Sequence, residues 1–248
     1  LGLDTTLTAE AAATGLIAPH GISDPALALP LDWEDETFLP YDWGYFAFVY
    51  DKTKVTDVPG SFDELLAAPE DLSIVIQDPR SSTPGLGLLM WVKAVYGDRA
   101  GEVWEQLAPR IVTVTKGWSE AYGMFIEGEA DMVLSYTTSP AYHLIAEDDD
   151  SKAAAAFSDG HYMQIEVAGK LASTDQPELA DQFLEFMLTN AFQSVIPVTN
   201  WMYPATDVPL PDGFDTLVEP AEALLIPSNE VPALRQEALD EWLAALSR

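Results

Sequence analysis

The 248-residue sequence carries 41 Asp and Glu against 11 Lys and Arg, a formal charge of −30 spread along the whole chain. That balance argues against a nucleic-acid partner, because duplex binding relies on basic side chains that displace counterions from phosphates. With no Cys there is neither a thiol nucleophile nor a thiolate metal site, and no apolar run reaches the 18 residues a membrane span requires.

Hydrophobic residues at 48% and aromatics at 10% supply enough apolar surface for a folded core. The acidity would favour a cationic solute, and it reads equally as a solubility device.

In chain order, LGLD at the start reads as the tail of a buried strand, so a leader and some structured residues are expected upstream. PYDWGYFAFVYDK (40–52) is an aromatic strand interrupted by Gly44, with FAFVY (46–50) as its clearest part. Ser61 and Glu64 form a capping box ahead of Leu65 and Leu66. LSIVIQ (72–77) is the next strand, followed by an apolar helix from Leu86 to Tyr96 that Gly97 closes. Val103 and Leu107 mark a short helix, and RIVTVT (110–115) and DMVLSY (131–136) are two further strands. EDDD (147–150) reads as an acidic loop, and DGHYMQIEV (159–167) as another extended strand. Pro177 starts a helix with Leu179, Phe183, Phe186 and Met187 at helical spacing. The last helix sets Leu234, Ala238 and Trp242 on one docking face.

This alternation predicts an α/β fold of two lobes, with mixed, mainly parallel sheets flanked by helices. Taking 40–52 and 159–167 as crossing strands, residues 1–48 and 159–248 form the first lobe, with the C-terminal helix, and 49–158 the second. A ligand cleft is expected between them.

Three stretches could carry a site. In QDPRSSTPGLG (77–87), Ser82 and Thr83 fall at a helix start, where free N–H groups suit an anion; they read equally as plain caps. Arg80 and Lys116 flank that seat. KGWSEAYG (116–123) approximates a hydrolase nucleophile elbow around Ser119, with Ala121 in place of the final glycine and no oxyanion loop such as HGGG. Its alternative reading has Ser119 capping a helix from Glu120, with Trp118 on the preceding turn facing the cleft. SYTTSPAYH (135–143) and TNWMYPA (199–205) add Tyr136, Tyr142, Trp201 and Tyr203, aromatic faces suited to a flat cationic ring. His20, His143 and His161 are scattered without metal-ligand spacing, so no metal is expected.

DWGYFAFVYDK, QDPRSSTPGLG, TVTKGWSEAYG, LSYTTSPAYH and NWMYPA, in this order and at these separations, closely resemble the periplasmic thiamine-binding proteins of thiamine ABC transporters. The resemblance covers the whole chain. It implies a type II periplasmic-binding-protein fold, capture of thiamine, thiamine phosphate or thiamine diphosphate without chemistry or cofactor, and delivery to membrane permease subunits from the periplasm. It also implies that Ser82 and Thr83 hold the phosphates with Trp118 nearby, while Tyr136, Tyr142 and Trp201 surround the rings. The family pattern includes an upstream strand, helix and strand with further ligand contacts, so the first lobe is expected to lack its N-terminal part. Rival solutes are a polyamine, for which carboxylates are plentiful, and ferric ion, whose usual adjacent tyrosines are absent. Thiaminase I, which resembles a cysteine-dependent enzyme of the same fold family, is excluded by the missing Cys.

Overall fold

The computed structural model describes residues 1–247. The first elements are β1 (Gly2–Asp4), α1 (Thr8–Ala13), β2 (Ile17–Ala18), the long β3 (Phe38–Asp51) and α2 (Phe62–Ala67). There follow β4 (Ile74–Gln77), α3 (Thr83–Tyr96), α4 (Ala100–Leu107), β5 (Ile111–Thr115), α5 (Trp118–Glu127), β6 (Met132–Tyr136) and α6 (Pro140–Ala146). The remainder is β7 (Lys152–Ala154), β8 (His161–Leu171), α7 (Pro177–Met187), α8 (Asn190–Gln193), α9 (Ile196–Thr199), β9 (Tyr203–Pro204), β10 (Ala223–Leu224) and α10 (Val231–Leu246). None of the described helices is long and apolar enough to cross a membrane.

The chain forms two compact units. Unit 1 holds residues 1–44 and 164–214, and unit 2 holds residues 45–163 and 215 onward. The long strands β3 and β8 both pass from one unit to the other, near the crossings the sequence suggests.

In unit 2, β4 pairs parallel with both β5 and β6, and β6 pairs antiparallel with β3. The four residues of β4 are all buried, as a β-branched run in a central parallel strand must be. Helix α3 packs against this sheet and is buried continuously from Pro84 to Lys93, hence its lack of a polar face. Phe48, Phe62, Trp91 and Phe157 form a ring cluster at the heart of the unit, with Phe48 stacked on Trp91 at 6.3 Å and the other contacts edge-on or tilted at 4.8 to 6.5 Å. His161 is fully buried there; its Nδ1 lies 2.8 Å from the Phe46 carbonyl, and its Nε2 accepts from the Phe157 N–H at 2.9 Å. Burial holds it neutral by lowering its pKa, so it is a core histidine.

The C-terminal helix departs from the sequence expectation, which set residues 159–248 in the first lobe. Residues from 215 onward belong to unit 2. Helix α10 packs on α3 and α4 through buried Val231, Ala238, Trp242 and Ala245. It also supplies Glu237 and Glu241, 2.6 and 3.1 Å from the Nζ of Lys93, whose side chain is 4% exposed. A buried ammonium needs such partners, and no element of unit 1 provides them.

In unit 1, β1 and β2 pair antiparallel with β8, and β9 with the start of β3. Leu39, Ala168, Leu184 and Met187 form a core cluster. Helix α7 buries Leu184 and Met187 but leaves Leu179, Phe183 and Phe186 46 to 60% exposed, so the apolar stripe read from its spacing is only partly a core face.

Unit 1 also holds an acid pair with one member fully buried and the other half-buried. Asp42, wholly buried, accepts from the Asn200 side-chain amide at 2.6 Å and hydrogen-bonds Glu166. Glu166 in turn accepts from the Tyr41 hydroxyl at 2.7 Å and the Gln164 amide at 2.9 Å. Burial, then the Glu166 charge, pushes the Asp42 carboxyl well above its usual range. The folded state therefore keeps a proton that the unfolded chain has lost, and stability falls as pH rises from the ordinary carboxylate range through the raised one. Asp42→Asn, which mimics the protonated acid, should raise Tm at pH 8 by an amount equivalent to about 1–3 kcal/mol and change little at pH 4, checked by calorimetry at both pH values.

Candidate ligand-binding site

Because β5, β4 and β6 run parallel, their C-terminal ends share one edge of the unit 2 sheet, where open α/β folds bind ligands. Each of these strands leads into a helix: β4 into α3, β5 into α5, β6 into α6. Helix N-termini therefore gather at this edge, with free N–H groups and the positive end of each dipole.

Ser82 is the N-cap of α3 and Thr83 its first residue. Ser82 has the extended backbone of a cap, yet its side chain makes no capping hydrogen bond, so the plain-cap reading does not describe it. The loop before it is tightly held. The Asp78 N–H donates to the Thr115 carbonyl at 2.8 Å, and the Ser81 hydroxyl donates to the Lys116 carbonyl at 2.8 Å. Pro84 suits the first turn, where its missing N–H has no helical partner. Arg80 is engaged: its Nε donates to Asp78 at 2.8 Å, holding that carboxyl below its usual range. Its guanidinium also lies 5.8 Å from the Trp242 ring centre.

Trp118 opens α5, with Gly117 as the N-cap. Ser119 is therefore the second helical residue and not the cap, a correction to the sequence reading. Both nitrogens of His143 are engaged, with the Tyr122 hydroxyl at 2.9 Å and Glu147 at 2.7 Å, and His20 and His161 have partners elsewhere. The Trp118 ring is 38% exposed and stacks on Tyr122 at 4.8 Å. Its Nε1 donates to Ser135 Oγ at 2.8 Å, and Ser135 lies 2.7 Å from Ser139 Oγ, which accepts from the Tyr136 N–H.

Tyr136, half-buried, stacks on Phe46 at 5.2 Å, and Tyr142 stands exposed on α6. The β6–α6 turn carries residues that attention to its tyrosines missed. Thr137 and Thr138 are fully buried, the Thr137 N–H donates to the Tyr45 carbonyl at 2.9 Å, and the Thr137 hydroxyl has no partner among the described residues. Three consecutive hydroxyls at a strand-to-helix turn repeat the signal that singled out Ser82 and Thr83.

Five of the six candidates thus lie on unit 2. Trp201 lies on unit 1, half-buried after α9, with a left-handed φ of 57° and its N–H donating to the Ile196 carbonyl at 3.0 Å. Its neighbour Tyr203 stacks on Trp43 at 4.6 Å.

His143, Glu147 and Asp149 place donor atoms within 4.8 Å of one another, the geometry a metal ion could use. Each is already paired: His143 as described, and the Asp149 carboxylate with the Ser151 N–H and hydroxyl at 2.8 and 2.9 Å.

The family model of bacterial extracellular solute-binding proteins matches residues 3–194. The chain belongs to this family. Among its relatives, a thiamine-binding periplasmic protein of Salmonella typhimurium is 53% identical and one of Escherichia coli 54% identical. Both alignments cover 100% of this chain and 76% of the relative. A solved structure described as a periplasmic thiamin binding protein matches with a TM-score of 0.97 and 54% identity, over 100% of this chain and 78% of that one. More distant solute-binding folds include a ferric binding protein from Campylobacter jejuni, at TM-score 0.77 and 19% identity over 97% of this chain and 80% of that one; it shows the fold alone. The expected type II periplasmic-binding-protein architecture is thereby established for this solute-binding protein.

Proposed function

We propose that this chain captures thiamine, thiamine phosphate or thiamine diphosphate for a membrane importer, working in the periplasm with permease subunits and performing no chemistry. The observation that carries the reading is the likeness, along the whole of this chain and 76% of each relative, to thiamine-binding periplasmic proteins at 53 and 54% identity. The unit 2 edge fits it. Ser82 and Thr83 at the start of α3 suit a phosphate tail, and Trp118, Tyr136 and Tyr142 offer faces to the cationic thiazolium and the pyrimidine. Trp201 is the matched position in unit 1, and a Trp201→Ala titration reads its contribution separately. No residue is assigned a catalytic role, and no cofactor or metal is invoked.

Calorimetric titration with thiamine, its two phosphate esters, spermidine and ferric citrate tests the proposal. Heat from a thiamine species, with none from the other two solutes, is expected; binding of spermidine alone would sink it. Charge adds a second expectation. A protein at −30 attracts the thiamine cation and repels the diphosphate, since Arg80 is committed to Asp78. Raising salt from 20 to 500 mM should therefore weaken thiamine binding while weakening diphosphate binding less or strengthening it, which titrations at both salt concentrations would show.

A further inference from the structure

Glu147 follows the last residue of α6 and opens the acidic run 147–150. Its Oε2 lies 2.7 Å from Nδ1 of His143, and the same carboxylate accepts the Tyr142 hydroxyl. The His143 side chain is 3% exposed, and its Nε2 lies 2.9 Å from the Tyr122 hydroxyl. The donor pattern follows from chemistry. A carboxylate only accepts, so Nδ1 carries a hydrogen; in a neutral ring Nε2 then accepts, and Tyr122 donates its O–H. Desolvation, followed by the Glu147 charge, pushes the Tyr122 phenol up, so its O–H stays in place to donate. The Tyr122 ring lies nearly parallel to His143, at 17°, and stacks on Trp118 on its own helix.

One carboxylate therefore reaches both exposed rings of this edge, Tyr142 directly and Trp118 through His143 and Tyr122. We infer that Glu147 is a positioning residue for solute capture, locking the Trp118 and Tyr142 rings in place before the ligand arrives. The inference rests on the reading of these two rings as ligand faces. Rings held in advance lose less freedom on binding, which is how a residue that touches no ligand contributes to affinity. A purely structural role is poorly supported. The Glu147 side chain is 44% exposed, and its backbone N–H, which any residue supplies, already donates to the His143 carbonyl at the helix end.

The test compares Glu147→Ala with Glu147→Gln, which keeps an acceptor oxygen. In ligand-free protein labelled with fluorotryptophan, the Trp118 resonance, assigned by its loss in Trp118→Phe, should shift or broaden in the alanine variant and return toward wild type in the glutamine variant. The Kd for the thiamine species bound by wild type should rise about tenfold in the alanine variant, the scale of one lost charge-assisted hydrogen bond, and recover with glutamine. Placed on Tyr122→Phe, Glu147→Ala should move the Trp118 resonance little further, since that branch is already cut, while loss of the direct Tyr142 contact still weakens binding. An unmoved Trp118 resonance overturns the inference, as does a Tm loss that accounts for the weaker binding and is not rescued by glutamine. If wild type binds no thiamine species the functional proposal falls, while the fluorine signal still decides whether Glu147 positions the ring.

Discussion

Trp118→Ala should weaken binding of thiamine diphosphate by roughly 30- to 1000-fold, the range for loss of a well-packed aromatic anchor. The ring opens α5 beside the start of α3, is held by Ser135 and Tyr122, and leaves 38% of its surface in solvent. A side chain held in place by neighbours yet exposed over more than a third of its surface has area available to a ligand. Stability should fall by only about 1 kcal/mol, because Ser135 keeps Ser139 as a partner and Tyr122 keeps His143. Trp118→Phe, which retains the face and loses only the N–H, should restore most of the affinity. Titration calorimetry reads all three proteins, and an unchanged Kd in the alanine variant would show that the ring faces no ligand.

Gly85→Ala should be a strongly damaging methyl addition at this edge, because what it meets is backbone. A Cβ at Gly85 would stand 2.5 Å from the Gln77 carbonyl oxygen and 2.7 Å from the Asp78 carbonyl carbon. Both are backbone atoms, and Asp78 is pinned to β5 by its hydrogen bond to Thr115, so the start of α3 must move instead. The expected cost is about 3 kcal/mol, the upper part of the overpacking range, or a Tm drop of roughly 6–12 °C by scanning calorimetry. Diphosphate affinity should fall with it, because Ser82 and Thr83 ride on the displaced turn. Gly123→Ala is the control. Nothing lies within 4 Å of a Cβ there, so the change should be neutral or stabilise α5 by up to about 1 kcal/mol.

The contrast between these glycines shows what could be read before folding. β-branched runs placed β4, β5 and β6 within two residues, and the Ser61 box was legible because capping is local; the structure shows Ser61 accepting the Glu64 N–H at 3.0 Å. The start of α3 was read two ways, at Leu86 from the apolar run and at Ser82 and Thr83 from the strand-to-helix turn, and the structure has it at Thr83. Pro84, Gly85 and Gly87 look like loop by propensity, yet close packing requires them: a Cβ at Gly87 would collide with the Phe46 ring. Sequence could not place α10, because its anchor joins Lys93 to glutamates 144 and 148 positions away. The turns carrying Ser82, Thr83, Trp118 and Tyr136 were visible because each directly follows a strand. Glu147 was not, since an acidic run looks like solvated surface until His143 and Tyr122 are seen beside it.

The pairing of β1 with β8 has a consequence for how the molecule is made. The Gly169 N–H donates to the Leu1 carbonyl at 2.8 Å across 168 positions. At ribosomal speeds the second partner emerges roughly 10–30 s after the first. Strands β4, β5, β6 and β7 pair among themselves and with the second half of β3, so the nascent chain can fold this stretch before β8 is made. For that interval β1 lacks its β8 mate, so this pairing closes last.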